Sequence, residues 1–98
     1  MDILQEIIAH KKLEVAQLRR DVLIENLVKS PNFKRTPMSL KKALTDVNST
    51  GIIAEFKRQS PSKGIINDKV SVVEVTQGYL DANVAAQSIL TDSKFFGG

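Results

Sequence analysis

A short apolar strand with two charges at its C-terminal end constrains this chain more than any other feature. Ile52-Ile53-Ala54-Glu55-Phe56-Lys57 follows Gly51. Strand alternation sets Ile53, Glu55 and Lys57 on one face and Ile52, Ala54 and Phe56 on the other. The polar stretch 59–67, with Pro61 and Gly64, reads as a loop. Ser71 is a helix cap, and Val72, Val75 and Tyr79 form the apolar stripe of a helix from Val72 to about Ala82. Asn83 falls where a helix ends in a left-handed residue. Ala85 to Leu90 reads as a second strand, and 93–98 as a loop. Strand, loop, helix, strand is a βαβ unit, with parallel strands joined by a right-handed crossover. Two parallel strands cannot cover both their faces and their edges. Two large aromatics, Phe95 and Phe96, stand just before the final glycines. The expectation is therefore an N-terminal part of a larger α/β protein.

The residues before the strand read as helical. Leu4, Ile8, Val15, Leu18 and Val22 recur at helical spacing, with Ile7 widening the stripe and Lys11 interrupting it. Asp2 caps the start of a helix that runs to about residue 28. The pattern loosens at Asp21, which reads as the cap of a second helix carrying Ile24, Leu27 and Val28. Ser30-Pro31-Asn32 ends it, because proline supplies no backbone donor. Phe33 to Met38 is a basic loop, Ser39 caps a short helix from Leu40 to about Asp46, and Asn48 to Gly51 is a turn. The expected division is a helical extension over 1–48 and an incomplete α/β unit over 49–98.

Several function classes fall away. The chain has no cysteine and one histidine, which leaves no thiolate site, no cysteine nucleophile and no multi-histidine metal site. His10 lies mid-helix among charges and reads as solvated. Fourteen Lys+Arg against 11 Asp+Glu give a net charge of +3 over 98 residues, with the basic residues scattered, so no nucleic-acid partner is expected. No apolar run approaches the ~20 residues that span a bilayer. The N-terminus lacks the pattern of a secretory signal. The expected compartment is the cytoplasm.

The chemistry-bearing candidates cluster around the first strand. Glu55 and Lys57 share a face at the strand's C-terminal end, where charges are costly unless paired or functional. Active sites of α/β proteins sit at that end, and an ordinary ion pair is the plainer reading. Ser60-Pro61-Ser62-Lys63-Gly64 is either a turn or an anion-binding loop, and it lacks the spacing of a P-loop. On the second strand Ser88, Leu90 and Asp92 share one face, with Gln87, Ile89 and Thr91 on the other. Phe95 and Phe96 either line an aromatic pocket or belong to the core of a following helix.

Taken together, these residues carry a resemblance. Ile53-Ala54-Glu55-Phe56-Lys57-Arg58-Gln59-Ser60-Pro61-Ser62-Lys63-Gly64 resembles the first-strand signature of the indole-3-glycerol-phosphate synthase family: E-x-K, two residues, then S-P-S-K-G. Ser88-Ile89-Leu90-Thr91-Asp92, two residues, then Phe95-Phe96-Gly97-Gly98 agrees with the family's second strand. The resemblance covers the whole chain. It implies the N-terminal extension and first βαβ unit of an eight-stranded β/α (TIM) barrel. The implied reaction closes 1-(2-carboxyphenylamino)-1-deoxyribulose 5-phosphate to indole-3-glycerol phosphate, with loss of carbon dioxide and water, in tryptophan biosynthesis. No metal or organic cofactor is implied. Lys57 would contact the substrate carboxylate and take part in proton transfer, and Glu55 would position it. Ser60, with Pro61 and Ser62, would line the site. Leu90 and Phe96 would pack near the aromatic ring. Asn83-Val84 stands where the family usually has Gly-Ala, and Gln87 where an apolar or small residue is common. The third-strand lysine, later-strand glutamates and phosphate-binding loops are not among these residues, so the chain alone is expected to be inactive and to self-associate.

Two other readings compete. One is another phosphosugar-handling β/α barrel such as a phosphoribosylanthranilate isomerase, which the pairing of E-x-K with S-P-S-K-G argues against. The other is a helical interaction module, in which charges facing inward from two strands make little sense. Fusion of the parent protein to a neighbouring pathway enzyme is left open by the sequence.

Overall fold

Residues 2–98 are described by the computed structural model, and Asp2 sets the start of its first element, α1 (Ile3–Asp21). The Asp2 carboxylate accepts from the Gln5 backbone N–H at 2.8 Å, and the Gln5 side chain accepts from the Asp2 N–H at 3.1 Å. This reciprocal capping satisfies two donors that the first turn leaves unpaired. Glu6 in the first turn and Arg19 and Arg20 in the last complement the helix dipole. His10 is not solvated as expected: its Nε2 lies 2.8 Å from Glu14 Oε1 and its side chain is 26% exposed. Glu14 also pairs with Lys11, so one acid one turn on draws both side chains down onto the helix.

The helical stretch to residue 28 divides near Asp21 into two helices, as the loosened pattern predicts, but Asp21 is not the cap of the second. Asp21 is the last residue of α1, with its carboxylate accepting from Gln17 Nε2 at 2.9 Å. Val22 and Leu23 are extended, and α2 (Ile24–Val28) starts after Leu23 with no side-chain cap. The turn that follows carries Ser30 and Pro31, as the sequence predicts. No residue of α1 or α2 is buried; Leu4 and Leu18 are 61% and 58% exposed.

The residues up to Pro37 form one unit and Met38–Gly98 a second. The second opens with α3 (Leu40–Thr45), capped by Ser39, whose hydroxyl accepts from the Lys42 N–H at 3.1 Å. After the turn to Gly51 come β1 (Ile53–Phe56), β2 (Gln59–Ser60), β3 (Gly64–Ile65), α4 (Val72–Asp81), β4 (Ala86–Ile89) and α5 (Ser93–Phe96). β1 and β4 pair in parallel, Ile53 opposite Ala86 through Phe56 opposite Ile89. The ladder continues at both ends, from Ala85 N to Ile52 O and from Leu90 N to Phe56 O. This is the expected βαβ unit. Ser71 caps α4 and Asn83 takes the left-handed conformation at φ 69°. Thr50 Oγ1 donates to the Asn83 carbonyl at 3.0 Å, tying the entry of β1 to the exit of α4.

Two segments read as loops are ordered differently. Residues 59–67 contain the antiparallel hairpin β2–β3, with Gln59 opposite Ile65 and Ser60 opposite Gly64. Backbone groups hold it: the N–H groups of Ile66 and Asn67 both donate to the Arg58 carbonyl, at 2.7 and 3.1 Å. Gly64 supplies the positive φ the turn requires. Residues 93–96 form α5, because the Asp92 carboxylate accepts from the Phe95 N–H at 2.7 Å and nucleates the turn. Gly97 ends it at φ +67°, with its α-carbon so near the Gln59 side chain that an added Cβ would meet it at 3.0 Å.

Phe56, 6% exposed, is the one buried hydrophobic residue among those described. It lies on the β1 face expected to meet a helix. Gln87, in the neighbouring strand on the same side, donates from Nε2 to the Thr76 carbonyl of α4 at 3.0 Å. Its amide thus has a partner on the helix side.

Candidate active site

The sheet face opposite α4 carries the charges. Alternation along β1 directs Glu55 away from α4, and Lys57 follows two residues on. Lys57 Nζ lies 3.5 Å from Glu55 Oε1, with the two side chains 35% and 45% exposed. The contact is at the edge of hydrogen-bonding range, and the pair is open to water on one side. The other carboxylate oxygen, Glu55 Oε2, accepts from Ser88 Oγ at 2.9 Å. Parallel register creates this contact, because Ser88 of β4 stands directly opposite Glu55. Tyr79 of α4 reaches the Glu55 backbone carbonyl with its hydroxyl at 3.4 Å.

An aromatic wall completes the site. The Phe96 ring centroid lies 5.9 Å from Lys57 Nζ, within cation–π range. Asp92 and Gly97 bound the helix that presents this ring, and α5 packs against β2. On the far side of β1 the Arg58 guanidinium lies 5.2 Å from the Phe56 ring.

The expected site residues thus divide. Glu55, Lys57 and Phe96 are brought together around one ammonium group. Leu90 is half-buried just past β4, its N–H held by the Phe56 carbonyl, and by alternation it shares the Ser88 face. Ser60, Pro61 and Ser62 lie in the hairpin. The Ser60 hydroxyl accepts from the Lys63 N–H at 3.2 Å and lies 3.4 Å from Ser62 Oγ, so it closes the turn. Alternation along the second strand sets Ser88 on one face with Leu90 and Asp92 but gives it no role. Its pairing with Glu55 needed the register between strands, which alternation within one strand does not provide.

Chemically, the site offers an ammonium donor, a carboxylate beside it, and an aromatic surface at the mouth of a parallel strand. That set suits proton transfer to or from a bound anion carrying a flat ring. Among the described residues no group of three or more His, Asp or Glu side chains is placed to hold a metal ion. No helix among them is long and apolar enough to cross a membrane.

A parallel βαβ unit with an acid–base pair at the C-terminal end of its first strand defines a piece of an α/β protein whose site lies at the strand ends. Comparison with known proteins is more specific. The family model described as indole-3-glycerol phosphate synthase matches residues 4–98. The chain belongs to the indole-3-glycerol phosphate synthase family. The indole-3-glycerol phosphate synthase of Bacteroides thetaiotaomicron is 50% identical over 97 residues, which cover 99% of this chain and 37% of that protein. The one from Opitutus terrae is 43% identical over 98 residues, again 99% of this chain and 37% of the relative. The chloroplastic protein of Arabidopsis thaliana is 35% identical over 101 residues, 99% of this chain and 25% of its own length. The chain therefore spans 37% of the length of its first two relatives.

Proposed function

We propose that these residues form the N-terminal third of an indole-3-glycerol phosphate synthase. In this reading the full-length protein is a carbon–carbon lyase of tryptophan biosynthesis. It closes 1-(2-carboxyphenylamino)-1-deoxyribulose 5-phosphate to indole-3-glycerol phosphate, releasing one carbon dioxide and one water. Residues 1–48 are the extension that precedes a β/α barrel of eight strands, and 49–98 supply its first two strands and first helix. The observation that carries the reading is the Glu55–Lys57 pair, 3.5 Å apart at the C-terminal end of β1 beside the Phe96 ring.

The chemistry assigns the roles. Ring closure joins an aromatic carbon to the ketone carbon of the sugar, so the ketone oxygen must gain a proton as it leaves toward water. Lys57 is the proton donor nearest that task, and its charge also draws the substrate carboxylate into place. Glu55 holds the ammonium group. Phe96 and Leu90 pack against the anthranilate ring. Ser60 meets the carboxylate from the hairpin, with Pro61 and Ser62 shaping that wall. The phosphate and the second acid–base group fall to residues outside these 98, so the chain alone does not turn over. The reaction in this form uses no metal or organic cofactor, and its setting is the cytoplasm. In the absence of the remaining strands, a second copy of the chain covers the open sheet.

The test is a chimera in which residues 1–98 replace the matching segment of the Bacteroides relative. Formation of indole-3-glycerol phosphate, followed by absorbance, is expected from the chimera. Loss of at least about two orders of magnitude in kcat is expected from its Lys57→Ala variant. A chimera that binds substrate but forms no product, or a Lys57→Ala variant with a near-normal rate, would overturn the assignment.

A further inference from the structure

We propose that Ser88 is a positioning residue for Glu55, and through it for Lys57. The inference rests on the enzymatic reading above. Three observations support it. Ser88 stands opposite Glu55 in the parallel register, so the pairing is fixed by the sheet and does not depend on a flexible loop. Its Oγ donates to Glu55 Oε2 at 2.9 Å, while Lys57 Nζ faces the other oxygen, Oε1, at 3.5 Å. The Glu55 side chain is 45% exposed and that of Lys57 35%, so water competes for both.

The consequence follows from how weakly an exposed ion pair constrains its members. Such a pair holds neither long side chain in one geometry. A carboxylate with one oxygen held by a hydrogen bond from a strand-borne hydroxyl can no longer rotate freely about its last torsion. Its second oxygen then points in a set direction, and the ammonium group that follows it is placed over the site. The Lys57 contact is long enough to leave N–H groups of Lys57 available for a substrate oxygen. The Ser88 hydroxyl and the Lys57 ammonium meet different oxygens of the same carboxylate, so the effect of Ser88 passes through Glu55.

The chimera provides the test. Ser88→Ala removes the hydroxyl without adding bulk and is expected to lower kcat about tenfold or more, the scale of one hydrogen bond to a charged group, with KM changed less than about twofold. Ser88→Thr keeps the hydroxyl, suits a strand, and is expected to recover most of the rate. In a Glu55→Gln background, Ser88→Ala is expected to add less than about a further twofold loss, because the group it positions is already altered. A near-normal kcat for Ser88→Ala, or a full additional loss in the Glu55→Gln background, would overturn the proposal. So would a loss that tracks a lowered unfolding midpoint and is not recovered by threonine. These outcomes are separable from failure of the enzymatic reading. If Lys57→Ala abolishes turnover and Ser88→Ala does not affect it, only the role of Ser88 falls. If the unsubstituted chimera binds substrate without forming product, both fall.

Discussion

Taken alone, the 98-residue chain is expected to associate with itself. The chain exposes 8138 Å². A chain of 10.8 kDa that gathered its apolar side chains into a single core would expose about 5,500 Å². The excess of roughly 2,600 Å² is about three times the ~800 Å² that each partner gives to an interface of standard size. Apolar side chains are exposed in both units: Leu4 is 61% exposed and Leu18 58%, and on the sheet and its connections Ile53 is 51%, Ile65 65%, Val73 72% and Ile89 47%. Among the described residues, both outer edges of the β1–β4 sheet also lack a strand partner, and unpaired edges recruit other chains.

An interface of standard size supports association at about micromolar or tighter. Sedimentation velocity or light scattering between about 1 and 100 µM should therefore show a mass that rises with concentration. Ile53→Lys places a charge on the exposed face beside Glu55 and should shift the distribution toward smaller species. A monodisperse species of one chain, unfolding cooperatively at every concentration, would show that the exposed surface drives no association. It would mean that the exposed sheet is tolerated and that residues 38–98 stand as a domain on their own.

Three other outcomes are expected. In the chimera, Lys57→Arg should not rescue Lys57→Ala in a kcat assay, because a guanidinium keeps its protons and cannot exchange them readily. Phe56→Ala removes the one buried hydrophobic side chain among the described residues, and should cost about 3–5 kcal/mol in a urea titration of the chimera. Asp92→Ala removes the carboxylate that accepts from the Phe95 N–H at 2.7 Å. It should cost about 0.5–2 kcal/mol, and by loosening α5 it should raise KM more than it lowers kcat.

What could be read from sequence followed from local rules with one strong signal each. Alternation in Ile53-Ala54-Glu55-Phe56 fixed which side chains meet a helix and which do not, and the burial of Phe56 against the exposure of Ile53 agrees. Ser39, Ser71 and Asn83 each marked a helix end through a side chain suited to the position. The misread segments lacked such a signal or were too short to show one. Each strand of the 59–65 hairpin has two residues, and no period can be seen in two residues. Their stability comes from the Arg58 carbonyl accepting two backbone donors, which side-chain identity does not reveal. Helix α1 stops at Asp21 without glycine or proline; Val22 and Leu23 simply turn extended. Residues 93–98 read as a loop because a helix of four residues offers no apolar stripe, although Asp92 is a residue type suited to a cap.

The site shows the same division at a finer level. Glu55 and Lys57 are two apart in one strand, so their shared face follows from the chain alone. Ser88 lies 33 positions after Glu55, and its hydrogen bond depends on which residue of β4 is brought level with it. A slip of one residue would put Gln87 or Ile89 opposite Glu55 and send the Ser88 hydroxyl to the helix side. Gln87 resists that slip, because its amide donates to the Thr76 carbonyl on α4 and would lose that partner. Ala85 and Leu90 resist it too, through backbone bonds to Ile52 and Phe56 at the two ends of the ladder. Gln87 therefore helps hold the register on which the Glu55–Ser88 contact depends. The chemistry on one face of the sheet is positioned in part by a polar anchor on the other.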